Sequence, residues 1–324
     1  MSEMSVEDLL DLIQKCVSEG KTVDLRGKDL TGIDLSWVSI VAELDRRGIT
    51  DSGAFPAWVY WDEHTEQVLG IDLHEAWLAG ANLQEAVLRG ANLQNTSLEG
   101  SNMGKVDLVR ADLQGAWLKQ ANLQEAVLRG ANLQNASLER ANLMKADLVR
   151  ANLQGAWLGG AILQEAVLTE ANLQEARLER ANLGKADLVR SNLQGAVLYE
   201  VNLQGAVLRG ANLEKVDLWG SNLQEAVLRG ANMQEAVLER ANLQNARLEG
   251  ANLEKADLGR ANLQWAILER ASLQGARLEG ANLQGARLRD ANLQGAWLYR
   301  ANLRGTSLEA PGLRARWSRL LRRS

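Results

Sequence analysis

Leucine recurs at every fifth residue from Leu73 to Leu308, across 48 consecutive positions without one insertion; only Met103 and Met233 depart from it. The residue two before each of these positions is Ala in 39 of the 48 blocks and otherwise small or β-branched, as at Thr96, Ser101, Val106 and Ser191. No regular element has a period of five. On an α-helix five residues advance about 500°, so successive leucines drift about 140° around the axis and form no face. On a flat strand an odd period sends alternate leucines to opposite sides. The pattern fits a chain that bends once in each block, with Ala and Leu pointing inward from a short extended piece and the other three residues outward or turning. With corners near a right angle, four blocks close one coil.

Two patterns agree with a step of four blocks. Glu85, Lys105, Glu125, Lys145, Glu165 and Lys185 alternate in sign, as stacked charges should. We read them as a structural charge ladder that fixes register. Asn92, Asn132, Asn152, Asn172, Asn192, Asn212, Asn232 and Asn252 are placed for stacked amide ladders. A longer echo, at twice that step, is also present, with KVDLVR at 105–110 and KADLVR at 145–150 and 185–190, which points to duplication of two-coil units.

Blocks such as ANLQE (81–85), ADLQG (111–115) and ANLEK (251–255) resemble the A(N/D)Lxx motif of pentapeptide-repeat proteins. The resemblance covers about three quarters of the chain. It implies an all-β solenoid, a right-handed quadrilateral β-helix with Leu and Ala stacked inside, here of about 13 coils. It also brings the family's best-known activity, binding DNA gyrase by imitating duplex DNA.

A solenoid exposes its core at both ends and needs caps. Residues 5–8, SVED, resemble a capping box, and Leu9, Leu10, Leu12, Ile13, Cys16 and Val17 follow as an apolar helical face, so residues 1–20 are read as a capping helix. Blocks around Leu25, Leu30, Leu35 and Ile40 form a degenerate first coil over 21–40. Residues 41–70 interrupt the repeat with a short helix and a hairpin around DEHT, and they hold the clustered aromatics Phe55, Trp58, Tyr60 and Trp61. The uninterrupted solenoid is 71–308, twelve coils. Residues 309–324 form a basic amphipathic helix, with Leu313, Trp317, Leu320 and Leu321 on one side and five arginines around them. That helix is a cap, a two-fold dimer contact as in some members of the family, or a contact for an anionic surface.

Composition narrows function. Cys16 is the only cysteine and His64 and His74 the only histidines, which argues against disulfides, Cys-based zinc sites and His-dependent catalysis. No catalytic, cofactor or metal residues are expected. No signal peptide and no apolar run of membrane-spanning length is evident, so a cytoplasmic protein is expected. The net charge of −5 divides unevenly: 14 acidic and 6 basic residues in 1–70, 26 and 25 in 71–308, and one and five in 309–324. A DNA mimic needs a mainly negative surface, because phosphate density is what a DNA-binding groove meets. The near-neutral repeat disfavours that role, and a gyrase modulator stands as the alternative. A repetitive convex surface is also poor ground for an enzyme, whose groups must converge. The expected function is a non-enzymatic scaffold that presents rigid faces to a protein partner, with no direct nucleic-acid binding by the solenoid. Trp77, Trp117 and Trp157 share one face and one block position, two coils apart, with Ser97 and Ser137 between them; they are the first candidate partner-binding strip, and Trp58, Tyr60 and Trp61 the second. Leu313, Trp317, Leu320 and Leu321 are candidates for a cap or dimer contact.

Overall fold

The structure, a computed structural model, describes residues 11, 30, 60–62, 67–69 and 72–306. The chain divides into two compact units, Met1–Ile162 and Leu163–Ser324. Each is built from the same block.

Within a block the first and third residues are the buried Ala and Leu, and the second points outward between them. The second residue forms a parallel bridge with its counterpart four blocks later. In the first unit Asp72 pairs with Asn92, Trp77 with Ser97, Asn82 with Asn102 and Val87 with Asp107, and the cycle then repeats. Four successive bridges, one to a block, make four faces, so four blocks complete one coil. The second unit has the same register, from Val167↔Asp187 to Asn282↔Asn302.

The corner is a four-residue turn. Ala76 N–H donates to the Leu73 carbonyl at 2.9 Å, and Glu75, third in that turn, has φ of +58°. A positive φ at that place is the signature of a type II turn. Every fifth residue from 75 to 305 repeats it, 18 as glycine and 29 as other types. None of the 29 is β-branched, the class for which positive φ is most costly. A period of five implies the bend but not the sign of φ that it requires.

Backbone donors follow one pattern from block to block. The N–H of the second residue bonds the Ala carbonyl of the preceding coil, as Asn102 does to Ala81 at 2.9 Å. Those of the third and fifth residues bond the following coil, as Leu83 does to Asn102 at 2.7 Å and Glu85 to Gly104 at 2.8 Å. That of the first closes the turn. Where the second residue is Asn or Asp, the fourth donates to that side chain, as Gln94 does to Asn92 Oδ1 at 3.2 Å. A buried donor left unpaired is expensive, and here the motif's Asn supplies the partner that the backbone does not. The same Asn donates its Nδ2 to the second residue one coil back: Asn92 to Asp72 Oδ1 at 2.9 Å, and Asn122 to Asn102 Oδ1 at 3.0 Å.

Leu30 is buried, and its N–H donates to the Trp77 carbonyl at 2.7 Å. Leu78 makes the matching bond to Ser97. Leu30 therefore takes, next to Leu78, the place that Leu78 takes next to Leu98, although in sequence it lies much further away than one coil. Two short strands, β1 (Tyr60–Asp62) and β2 (Gln67–Leu69), pair antiparallel with Trp61 opposite Val68. Of the expected N-terminal capping helix only Asp11, helical, is described, and the terminal helix over 309–324 lies outside the described residues.

Candidate functional site

The face that carries Trp77 is the most distinctive surface of the Met1–Ile162 unit. Bridges join Trp77, Ser97, Trp117, Ser137 and Trp157 in one unbroken column. Because each second residue points away from the core, the indoles are placed in solvent: Trp77, Trp117 and Trp157 are 62%, 57% and 50% exposed. Ser97 and Ser137 lie half-buried in the gaps. At a strand spacing of about 4.8 Å the tryptophans recur about every 10 Å. The flanking fourth positions are Ala79, Glu99, Lys119, Glu139 and Gly159. Ser137 Oγ donates to Glu139 Oε2 at 2.6 Å.

Other surface aromatics are set differently. In the Leu163–Ser324 unit Trp297 bridges Arg277 on its own face and Tyr299 stacks with Arg300. Trp219, at a fourth position, has Arg240 Cζ 5.8 Å from its ring centroid. Trp265 occupies a corner with φ of +59°, and a Cβ added at Gly285, one coil on, would lie 2.2 Å from its ring. A glycine one coil after the indole is the sequence signal for that packing.

Several carboxylates on these units are paired with arginine. Arg89 meets Asp107 at 2.6 Å, Arg129 meets Asp147, Arg277 meets Asp257 at 3.1 Å and Arg287 meets Glu269 at 2.6 Å. The first two pairs run from a fourth position to the second position of the next coil, an offset of 18 that the sequence reading did not consider. A groove of about 480 Å³ in the second unit is lined by Arg229, Glu249, Arg270, Arg289 and Asp290, a mixture of both signs. Burial pushes the Glu249 carboxyl up, but a backbone hydrogen bond and the Arg247 and Arg229 guanidinium groups outweigh it and hold the group below its usual range. A carboxylate so held is an ion-pair partner at neutral pH rather than a proton donor. Among the described residues no group of three His, Cys, Asp or Glu is placed to hold a metal, and no helix is long and apolar enough to cross a membrane.

Of the other sequence candidates, Trp58, Leu313, Trp317, Leu320 and Leu321 lie outside the described residues, and Tyr60 and Trp61 are described as β1 backbone. In the charge ladder Lys105 Nζ is 3.4 Å from Glu85 Oε1. Both side chains are exposed, so the contact contributes about 1 kcal/mol or less. All six ladder residues sit at positive-φ corners.

The family model for pentapeptide repeats matches in eight copies that together run from residue 70 to 305. The chain belongs to the pentapeptide repeat family. Right-handed quadrilateral β-helices are the fold of that family. No curated protein matches this pentapeptide repeat chain. Among solved structures it is similar to HetL, a pentapeptide repeat protein involved in heterocyst differentiation regulation from the cyanobacterium Nostoc sp. strain PCC 7120. The identity is 29% over 94% of this chain and 95% of that one, with a TM-score of 0.22. A pentapeptide repeat protein from the Arabidopsis thaliana thylakoid lumen is 32% identical over 30% of this chain and 61% of its own, with a TM-score of 0.23. QnrB1, a plasmid-mediated fluoroquinolone resistance protein, is 17% identical over 74% of this chain and 96% of its own, with a TM-score of 0.31.

Proposed function

We propose that this pentapeptide repeat protein is a non-enzymatic interaction scaffold whose docking face for a protein partner is the Trp77–Trp117–Trp157 column. One observation carries the reading: three large apolar side chains stand exposed in register on a face otherwise made of small and polar residues. Exposed aromatic clusters mark interaction sites, and Trp is enriched among the residues that dominate binding energy. The hydrogen-bonded sheet fixes the backbone from which the indoles project, so no backbone ordering entropy is lost on docking. The pairing of carboxylates with arginine weakens the DNA-mimic alternative, which requires uncompensated negative charge along a face. Catalysis is disfavoured on the same surface, because its polar groups repeat along the stack rather than converge.

The test is affinity capture with the intact chain and with Trp77→Ala/Trp117→Ala/Trp157→Ala, each at matched concentration. Loss of a bound protein, or of self-association, in the triple variant is expected. Identical recovery of every bound protein and an identical association state in both would refute this face as the docking surface.

A further inference from the structure

We infer that the occupant of the tryptophan face is a second copy of this chain, docked in reverse coil order; the inference rests on the docking-face reading above. The column alternates large and small: Trp, Ser, Trp, Ser, Trp from residue 77 to 157, each bridged to the next. Neighbours in the column are about 4.8 Å apart, so the tryptophans on either side of each serine are rooted about 10 Å apart and leave a gap above it. An indole entering that gap lies about 4.8 Å from the one on either side, within the separation at which aromatic rings attract. The face is therefore both knob and socket for a copy of itself.

A two-fold axis lying between the faces and parallel to the strands reverses the order of coils and keeps position along the strand. Displaced to bring Trp117 onto Ser137 of the second copy, it also brings Trp157 onto Ser97, and each contact occurs twice, as an isologous interface requires. The same operation sets Lys119 opposite Glu139 of the second copy, and Glu139 opposite Lys119. It sets the small corner Gly115 against Asn135. Large meets small and cation meets anion under the same operation. The other two-fold orientation, parallel to the solenoid axis, keeps coil order and reverses position along the strand, so it places Trp on Trp, which crowds the rings, and carries Lys119 away from Glu139 of the second copy. Charge and shape thus select the same arrangement.

The decisive variants fill the sockets and leave the indoles. Arg stands natively at bridged second positions in the other unit, Arg177 and Arg277, so Ser97→Arg/Ser137→Arg respects the fold of the block. Sedimentation velocity on the full chain, from about 1 to about 200 µM, covers the range in which an interface this small associates. The expected result is a monomer–dimer equilibrium whose dissociation constant rises about tenfold or more in Trp117→Ala. The same rise is expected in the double arginine variant, with unchanged far-UV circular dichroism in both. Lys119→Glu weakens the dimer, and Lys119→Glu/Glu139→Lys restores it. Three results would overturn the inference. A full chain that stays monomeric while Trp117→Ala loses a different protein leaves the docking face standing and removes the second copy as its occupant. A dimer indifferent to all these variants is held by some other surface. A monomer whose captured proteins are unchanged in the triple alanine variant removes both readings together.

Discussion

A residue at the fifth position of a block must hold a left-handed backbone, which costs most L-residues about 1 kcal/mol and glycine almost nothing. That accounts for the 18 glycines at corners, and for the absence of Val, Ile and Thr among the other 29. Gly285 carries a second demand, since the Trp265 indole lies where its Cβ would be. Gly285→Ala is expected to destabilise the protein by about 1–3 kcal/mol, the sum of the φ cost and displacement of the ring. Adding Trp265→Ala should remove the steric part and leave the φ part. Urea denaturation of the two variants and the parent decides, and equal losses in the single and double variants would exclude the packing contact. The sequence announced none of this directly, because a period of five reports where a chain bends but not the sign of φ at the bend.

The element here is the block, and its stability is a matter of donors. Asn212 illustrates the arrangement: its Oδ1 accepts from Glu214 N–H at 3.2 Å and from Asn232 Nδ2 at 3.2 Å, and its Nδ2 donates to Asn192 Oδ1 at 3.0 Å. Asn212→Ala removes three bonds and is expected to cost about 1–3 kcal/mol, more than Val207→Ala on a face without the ladder. Chemical denaturation of both variants makes the comparison, and a smaller loss for Asn212→Ala would show that the amide ladder contributes little. Stacking of these amides was legible from their recurrence at one-coil steps. The bond from the fourth residue's N–H to the Asn side chain was not, since it is made within a block and leaves no long-range period. The Arg89–Asp107 pair was missed for a related reason: side chains reach diagonally between coils, so an offset of 18 breaks the register a reader looks for.

At the scale of the whole molecule, repeat architectures draw stability from each coil and its immediate neighbours. In the Leu163–Ser324 unit the inward alanines are fully covered through Ala286 and become half-exposed at Ala291, Ala296 and Ala301. Amide exchange is expected to be slowest between residues 203 and 262 and faster by orders of magnitude over 291–306. Hydrogen-exchange mass spectrometry reads this directly, and uniform protection across the unit would contradict it. The coil, its four faces and its Leu–Ala interior were readable from the repeat, because one inward pair recurs with no interruption. The surface chemistry was readable only in part. Trp77, Trp117 and Trp157 stood out by composition, whereas the complementarity of Ser137 with Trp117 and of Lys119 with Glu139 emerges only when the face is treated as a flat, directional pattern.

The bridge between equivalent residues of successive coils turns insertion and deletion into geometry. Losing one block rotates every following coil in its unit by a quarter turn, so residues that shared a column are scattered over two faces. Losing four blocks, one whole coil, restores the columns but swaps Trp for Ser in the alternating one. Only a change of two coils preserves both address and alternation, and that is the length at which this gene's product echoes itself. Growth by unequal exchange in steps of two coils would lengthen the tryptophan column without ever putting it out of phase.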